Sequence, residues 1–159
     1  EGALLADIER AFPSLYQSYQ WLLMEHYSLP PWLRIAIVRG FFSVHHCLEY
    51  YSHTHDLGIM YRGITQGNPL SALWFLLCVN LLVVRLSLSL QDTEAVRAFA
   101  DDIYVRLTCV SRLIDILPVF LTYGYISGCY MNFLKTDLKC CGIWKSIVVQ
   151  KTTRFEPSL

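Results

Sequence analysis

The sequence predicts an α+β fold in which a small, mainly antiparallel sheet packs against helices on one face. Three observations carry that prediction. Short β-leaning runs alternate with stretches of helical apolar spacing. Two pairs of those runs sit close enough to close as hairpins, which a purely parallel sheet would not contain. No internal repeat, low-complexity tract or linker interrupts the pattern, and 159 residues at 54% hydrophobic content suffice for one core rather than two domains.

Taken in order, Ala3 to Ile8 is short and apolar and suits a buried strand that delivers Asp7 at its end. Pro13 fits the first turn of a helix, and from Ser14 to Tyr27 the residues Leu15, Tyr19, Leu22, Leu23 and Tyr27 recur at helical spacing. Pro30 and Pro31 end that helix, and Trp32 to Phe42 supplies another. Cys47 to Tyr51 and Leu57 to Tyr61 read as strands joined by a polar loop, Ser52 to Asp56. After a loop over Gly63 to Asn68, Asn68 is expected to cap, and Pro69 to open, a long apolar helix ending near Leu90.

Gln91 to Glu94 is a polar turn. Val96 to Ala100 and Ile103 to Leu107 then form a hairpin expected to carry both Asp101 and Asp102 at its tip, since aspartate tolerates left-handed turn conformations. Ser111 to Ile126 is helical, with Pro118 marking a kink or break, and Ser127-Gly128 ends it. One more strand is expected within Met131 to Trp144, and Lys151 to Leu159 is loosely structured.

Composition narrows the function classes. The 13 basic and 13 acidic residues balance, so no whole-molecule field attracts nucleic acid or anionic membrane, and such a partner needs a local groove. The six cysteines lack Cys-x-x-Cys spacing and mostly lie in apolar surroundings, which suits a reducing compartment. The first residues have no signal-peptide pattern and already read as a strand, so the chain is expected to begin inside a fold. Leu70 to Val84 is a run of fifteen residues without charge, short of the roughly 20 that span a bilayer, and reads better as a buried helix. His45, His46, His53 and His55 lie near one another without a third ligand at recognisable zinc spacing, so a solvated loop is the simpler reading. Tyr16, Tyr19, Trp21, Trp32 and Trp74 can stack on bases or fill the core.

The chemistry concentrates in Phe99-Ala100-Asp101-Asp102. Alone, an Asp-Asp pair is a polar turn. Asp7, a third carboxylate at the end of an apolar strand, changes the weighing, because sheet pairing can bring it beside the hairpin tip. Carboxylates within a few ångströms repel, and a divalent cation removes that penalty. Hard oxygen ligands favour Mg²⁺ or Mn²⁺, and two such ions serve phosphoryl transfer.

These residues fall into four motifs. Asp7-Ile8-Glu9-Arg10-Ala11-Phe12, Arg62 through Gln66-Gly67-Asn68-Pro69-Leu70-Ser71, Phe99-Ala100-Asp101-Asp102, and Ser127-Gly128 through Asn132 to Lys135-Thr136 follow one another along nearly the whole chain. In that order they resemble the palm of reverse transcriptases, most closely the non-LTR, LINE-like retrotransposon enzymes, with group II intron and retron types as further relatives.

The resemblance implies a polymerase palm over residues 1–145, with a C-terminal tail over 146–159, and RNA-directed DNA polymerase activity. Asp7 and Asp101 would hold two Mg²⁺ ions (Mn²⁺ as the alternative), with Asp102 adjoining and the Ile8 carbonyl as a further ligand. Phe12 matches the steric gate against ribose, with a core phenylalanine as the other reading. Gln66 and Gly67 match the loop beside the nascent base pair. Lys135 matches a group that neutralises departing pyrophosphate, or is an ordinary solvated lysine. Arg62 and Ser71 are the positions expected to meet template or primer.

Implied partners are an RNA template, a DNA primer and a deoxynucleoside triphosphate, with no membrane, inside the nucleus or cytoplasm of a eukaryotic host. The sequence departs from the LINE pattern at Pro13, Thr65 and Ala72. The family's fingers before Asp7 and thumb after Lys135 are not matched, so the chain is expected to be a fragment of a larger polyprotein that also carries those segments and an endonuclease. Two other readings stay open: a catalytically inactive or domesticated retroelement remnant that binds nucleic acid or a partner, and an interaction or membrane protein built around Leu70 to Leu90.

Overall fold

A computed structural model describes residues 1–140. The expected tail over 146–159, and the end of the expected palm beyond residue 140, lie outside the described residues.

Strand β1 (Gly2–Asp7) is the centre of the molecule. It pairs antiparallel with β5 (Asp102–Leu107) on one side and β6 (Asp137–Cys140) on the other, and β4 (Ala95–Phe99) adds to β5, giving a four-stranded sheet of order β4-β5-β1-β6. The period of two along each strand sorts the side chains. Leu4 and Ala6 of β1 and Ile103, Val105 and Leu107 of β5 are buried on one face. Leu5, Asp7, Asp102 and Tyr104 stand on the other, paired as Leu5 with Tyr104 and Asp7 with Asp102.

Helices cover only the buried face. Helix α4 (Ser71–Ser89) inserts Trp74, Phe75, Cys78, Val79, Leu82 and Leu86, and α5 (Leu113–Ser127), entered through a 3-10 turn at Val110–Arg112, adds Ile116, Phe120 and Tyr123. Each fully buried apolar side chain of this size contributes about 1.5–3 kcal/mol. By length and composition α4 is able to cross a membrane, yet these residues give it a buried inner face within the core. Pro118 lies inside α5 without ending it, because the buried residues on either side hold the helix to the sheet.

The expected helix over Ser14 to Tyr27 divides. Helix α1 (Ala11–Ser14) ends at Leu15, the chain extends through Tyr16, and α2 (Gln17–His26) begins anew. The break has a tertiary cause: Tyr16 N–H donates to the Ser127 carbonyl at 2.7 Å, and Gly63 N–H donates to the Leu15 carbonyl at 2.6 Å. The helix expected over Trp32 to Phe42 is α3 (Pro31–Phe41), which takes its first residue from the proline pair.

Strands β2 (Val44–Tyr50) and β3 (His53–Met60) form a separate hairpin. Its turn is Tyr51-Ser52, both at positive φ, as a type I′ hairpin turn requires, so the expected loop over Ser52 to Asp56 is mostly strand. Asn68 does not cap α4 directly. Its side chain accepts from Leu70 N–H at 2.9 Å in a local turn, one residue ahead of the helix.

Candidate functional site

The turn between β4 and β5 is made by Ala100 and Asp101 rather than by the two aspartates. Ala100 takes the left-handed conformation (φ 53°), while Asp102 belongs to β5 and pairs with both Phe99 and Asp7. The two carboxylates therefore part: Asp101 sits at the tip, and Asp102 lies on the open face of the sheet. Ile8 N–H donates to the Asp101 carbonyl at 3.3 Å, which fixes the tip beside the end of β1.

On its far side the same strand end is clamped by the fourth motif. Glu9 N–H donates to the Tyr130 carbonyl at 2.9 Å and Asn132 N–H to the Asp7 carbonyl at 2.7 Å, bracketing an isolated bridge between Ile8 and Met131. Ile8 is the non-hydrogen-bonded member of that bridge, so its carbonyl is not used by the pairing.

The second motif arrives through α1. Ile64 N–H donates to the Phe12 carbonyl at 2.8 Å, and Gly63, at φ +89°, passes so close to Pro13 that an added Cβ would lie 2.8 Å from its Cα. Buried Gln20 locks this crossing: its amide donates to the Gly63 carbonyl at 3.2 Å and its oxygen accepts from the Trp74 indole at 2.8 Å. Gly67 turns the loop at φ +90°, a conformation glycine adopts without strain. Gln20 was not singled out from sequence, although a glutamine inside an apolar helical face is the signal for such a buried hub.

The outcome is a cleft of about 460 Å³ lined by Asp7, Ile8, Phe12, Gln66, Asp101 and Lys135, joined by Arg10 and Asn132 among others. Asp102 lines an adjoining depression on the open sheet face with Asp7, Lys135, Phe99 and Tyr104. A larger groove of about 540 Å³, between α4 and α5, contains none of the expected site residues.

Phe12 is half-buried; its ring stacks on Phe75 at 4.5 Å while also forming cleft wall, so it is packed and accessible at once. Lys135 is exposed, with Nζ 4.0 Å from Asp7 Oδ2, a solvent-screened pair. Three expected residues line neither the cleft nor the adjoining depression: Gly67, which turns the loop just beyond Gln66, and Arg62 and Ser71. Arg62 is exposed and pairs through its backbone with Tyr16, and Ser71 is buried, its hydroxyl donating to the Thr65 carbonyl. Ser71 thus ties the Gln66-Gly67 loop to α4. Of the aromatic candidates for stacking, Tyr19 and Trp74 are core, Tyr16 is half-buried, and Trp21 and Trp32 are exposed.

Among the described residues, no three His, Cys, Asp or Glu side chains are gathered as a cation cage, so the expected triple carboxylate cluster is not preassembled, and neither is a histidine zinc site. The register pairs Asp7 with Asp102 across β1 and β5 and leaves Asp101 in the turn. No hydrogen bond among the described residues engages the carboxylates of Asp7, Asp101 or Asp102. Carboxylates that accept no hydrogen bond among the described residues, Asp7 facing only the solvent-screened Lys135, and a backbone carbonyl suit Mg²⁺ or Mn²⁺, since Mg²⁺ takes one or two carboxylates and completes its shell with water and phosphate oxygens.

No protein-family model and no curated protein sequence matches this chain. Solved structures match by fold. Telomerase from Candida tropicalis, in an apo form truncated from its C-terminal domain, aligns over 87% of this chain with a TM-score of 0.69 and 12% identity. Telomerase from Candida albicans, in complex with the TWJ fragment of telomeric RNA, aligns over 96% with a TM-score of 0.58 and 13% identity. The chain spans 30% and 27% of those two proteins. At these identities the likeness is one of fold: the antiparallel sheet and its helices are arranged as in part of those two telomerases.

Proposed function

We propose that this chain is the palm segment of an RNA-directed DNA polymerase, of the LINE-like retrotransposon type, transferring deoxynucleotides to a primer 3′-hydroxyl on an RNA template. One observation carries the reading: residues from four separated motifs, Asp7, Phe12, Gln66, Asp101 and Lys135, line a single cleft at the open end of the sheet. A polar turn, a core phenylalanine and a surface lysine have no common reason to meet there.

In this reading Asp7 and Asp101, with the Ile8 carbonyl and Asp102 adjoining, would hold two Mg²⁺ ions. The ions, when bound, supply activation of the attacking hydroxyl and neutralisation of charge on the leaving oxygen. The chain's own groups do the rest. Phe12, immobilised on Phe75, crowds the position of a ribose 2′-hydroxyl and so favours deoxynucleotides. Gln66 offers an amide to the nascent base pair, and Gly67 gives the backbone room to approach it. Lys135 places a cation beside Asp7 for departing pyrophosphate.

The motif forms, above all Phe99-Ala100-Asp101-Asp102, favour the LINE type, and the telomerase bound to telomeric RNA supports nucleic acid as the partner class. Fingers, thumb and endonuclease belong, in this proposal, to other parts of a longer intracellular polypeptide. A second reading, an inactive remnant with the same fold, draws on the missing cation cage and on Pro13, Thr65 and Ala72.

The test is primer extension on an RNA template by a polypeptide that joins this chain to its fingers and thumb. Mg²⁺-dependent extension that falls about a thousandfold or more in Asp101→Ala is expected, the scale of losing a principal electrostatic contact to the transition state. Extension unaffected by Asp101→Ala would overturn the proposal, and absence of extension would favour the remnant. The isolated chain is expected to extend little, for want of phosphate contacts to template and primer.

A further inference from the structure

The groove of about 540 Å³ between α4 and α5 shares no residue with the cleft. The two helices run antiparallel along it, since the Tyr123 hydroxyl donates to the Cys78 carbonyl at 3.2 Å and Arg112 Nη2 to the Ser89 carbonyl at 2.7 Å. Its lining therefore passes from Arg85, Ser89 and Asp115 at one end to Tyr19, Tyr123 and Ile126 at the other. The stretches Leu81 to Ser89 and Asp115 to Ile126 make a trough about 12–16 Å long, at roughly 1.5 Å of rise per residue.

Most polar groups along this lining are already spent within the fold. Tyr19 and Tyr123 both donate their hydroxyl protons to the Cys78 carbonyl, at 2.8 and 3.2 Å. The Ser89 hydroxyl donates to the Arg85 carbonyl at 3.1 Å, and the Asp115 carboxylate is paired with Arg112. Arg85 is different. It is the one charged residue of α4 and is exposed, and among the described residues its guanidinium makes neither a hydrogen bond nor an ion pair. An apolar trough with one unspent guanidinium at its end is complementary to an apolar body that carries an anionic head.

We infer that this groove binds a small amphipathic carboxylate, its head on Arg85 and its apolar body along Leu81, Pro118 and Val119. The volume falls within the roughly 300–1,000 Å³ typical of small-molecule sites, which also are mostly apolar with a few placed polar groups. A guanidinium fork fits carboxylate and phosphate alike. Asp115 at the same end decides between them, because its charge repels a doubly charged phosphate more than a singly charged carboxylate. The inference stands apart from the polymerase reading, as no cleft residue takes part in it.

Calorimetric titration of the 159-residue chain with laurate, at neutral pH and below its micelle-forming concentration, tests the inference, with dodecanol and dodecyl phosphate as comparison ligands. One laurate per chain is expected, bound about tenfold more tightly than dodecanol, as a charge-assisted fork predicts, and at least as tightly as dodecyl phosphate. Arg85→Gln should keep the melting temperature, weaken laurate about tenfold and leave dodecanol unchanged. Thr122→Trp, which fills the trough, should weaken all three ligands. Wild type that takes up no laurate, Arg85→Gln that binds it as wild type does, or uptake that Thr122→Trp leaves unchanged would overturn the inference. Tighter binding of dodecyl phosphate would overturn the choice of head group. Sedimentation showing a dimer that Thr122→Trp dissociates and laurate does not would assign the groove to a second copy of the chain instead.

Discussion

Replacing Glu94 by Gln should loosen the molecule at the point where four elements meet. The Glu94 side chain is fully buried. One carboxylate oxygen accepts from Thr108 N–H at 3.1 Å, the Thr108 hydroxyl at 3.0 Å and Arg112 Nε at 3.3 Å; the other accepts from Gln91 N–H at 3.0 Å and Arg112 Nη2 at 3.2 Å. Arg112 Nη2 also donates to the Ser89 carbonyl at 2.7 Å, and its Nη1 pairs with Asp115. One carboxylate thus joins the end of α4, the approach to β4, the end of β5 and the start of α5. A glutamine turns one acceptor oxygen into a donor facing donors and leaves Asp115 as the one carboxylate paired with Arg112 among the described residues.

Breaking a buried ion pair by removing one partner costs about 3–5 kcal/mol, and the surviving Asp115 contact favours the low end, near 3 kcal/mol. For a domain of this size that lowers Tm by about 6–12 °C. The pH dependence has a definite sign. Burial pushes the Glu94 pKa up, but the Gln91, Arg112 and Thr108 hydrogen bonds prevail and hold it at about 2, against an ordinary 4.5. A lowered carboxyl pKa stabilises the fold above 4.5, and that contribution is lost as pH falls from 4.5 towards 2. Urea unfolding of wild type and Glu94→Gln at several pH values measures both effects. A loss below about 1 kcal/mol, the range of an exposed pair, or an acid slope as steep in the variant as in wild type, would refute the reasoning.

Gly128→Ala should destabilise by about 2–4 kcal/mol, because an L-residue at φ +84° is strained and its Cβ would fall 2.4 Å from the Ser14 carbonyl oxygen; thermal melts check it, and an unchanged Tm contradicts it. Gln20→Leu should cost about 2–3 kcal/mol by stranding the Trp74 indole N–H and the Gly63 carbonyl, with denaturant midpoints as the readout. In the longer polypeptide proposed above, Phe12→Val should relax the proposed preference for deoxynucleotides over ribonucleotides about tenfold or more, read as the ratio of kcat/KM values; an unchanged ratio removes Phe12 from sugar selection.

Elements with strong local signals were legible in the sequence: the charge-free core of α4, the helix after Pro30-Pro31 that becomes α3, and the β-leaning run from Ile103 to Leu107 that becomes β5, with Ile103, Val105 and Leu107 facing inward. What local signals missed was set by distant backbone contacts. Nothing near Leu15 announces that Ser127 and Gly63 will take its neighbourhood out of the helix. Aspartate's tolerance of turns suggested a two-aspartate tip, but the pairing of Asp102 with Asp7 moves the turn one residue back, onto Ala100. The motif residues were legible as a set because their order along the chain carries information that no single spacing does. Ser71 shows the limit of that: the motif pointed it towards template or primer, and the fold uses its hydroxyl to hold the loop.

A polymerase palm and an inert remnant share this architecture, so capacity to hold the cation separates them most directly. Mn²⁺ uptake by the 159-residue chain in the presence of a deoxynucleoside triphosphate, followed by electron paramagnetic resonance, measures it. Binding that weakens about tenfold or more, roughly 1.4 kcal/mol, in both Asp7→Asn and Asp101→Asn is the expected result. Equal uptake by wild type and both variants, or none by wild type, would contradict the assignment of that cleft to nucleotidyl transfer.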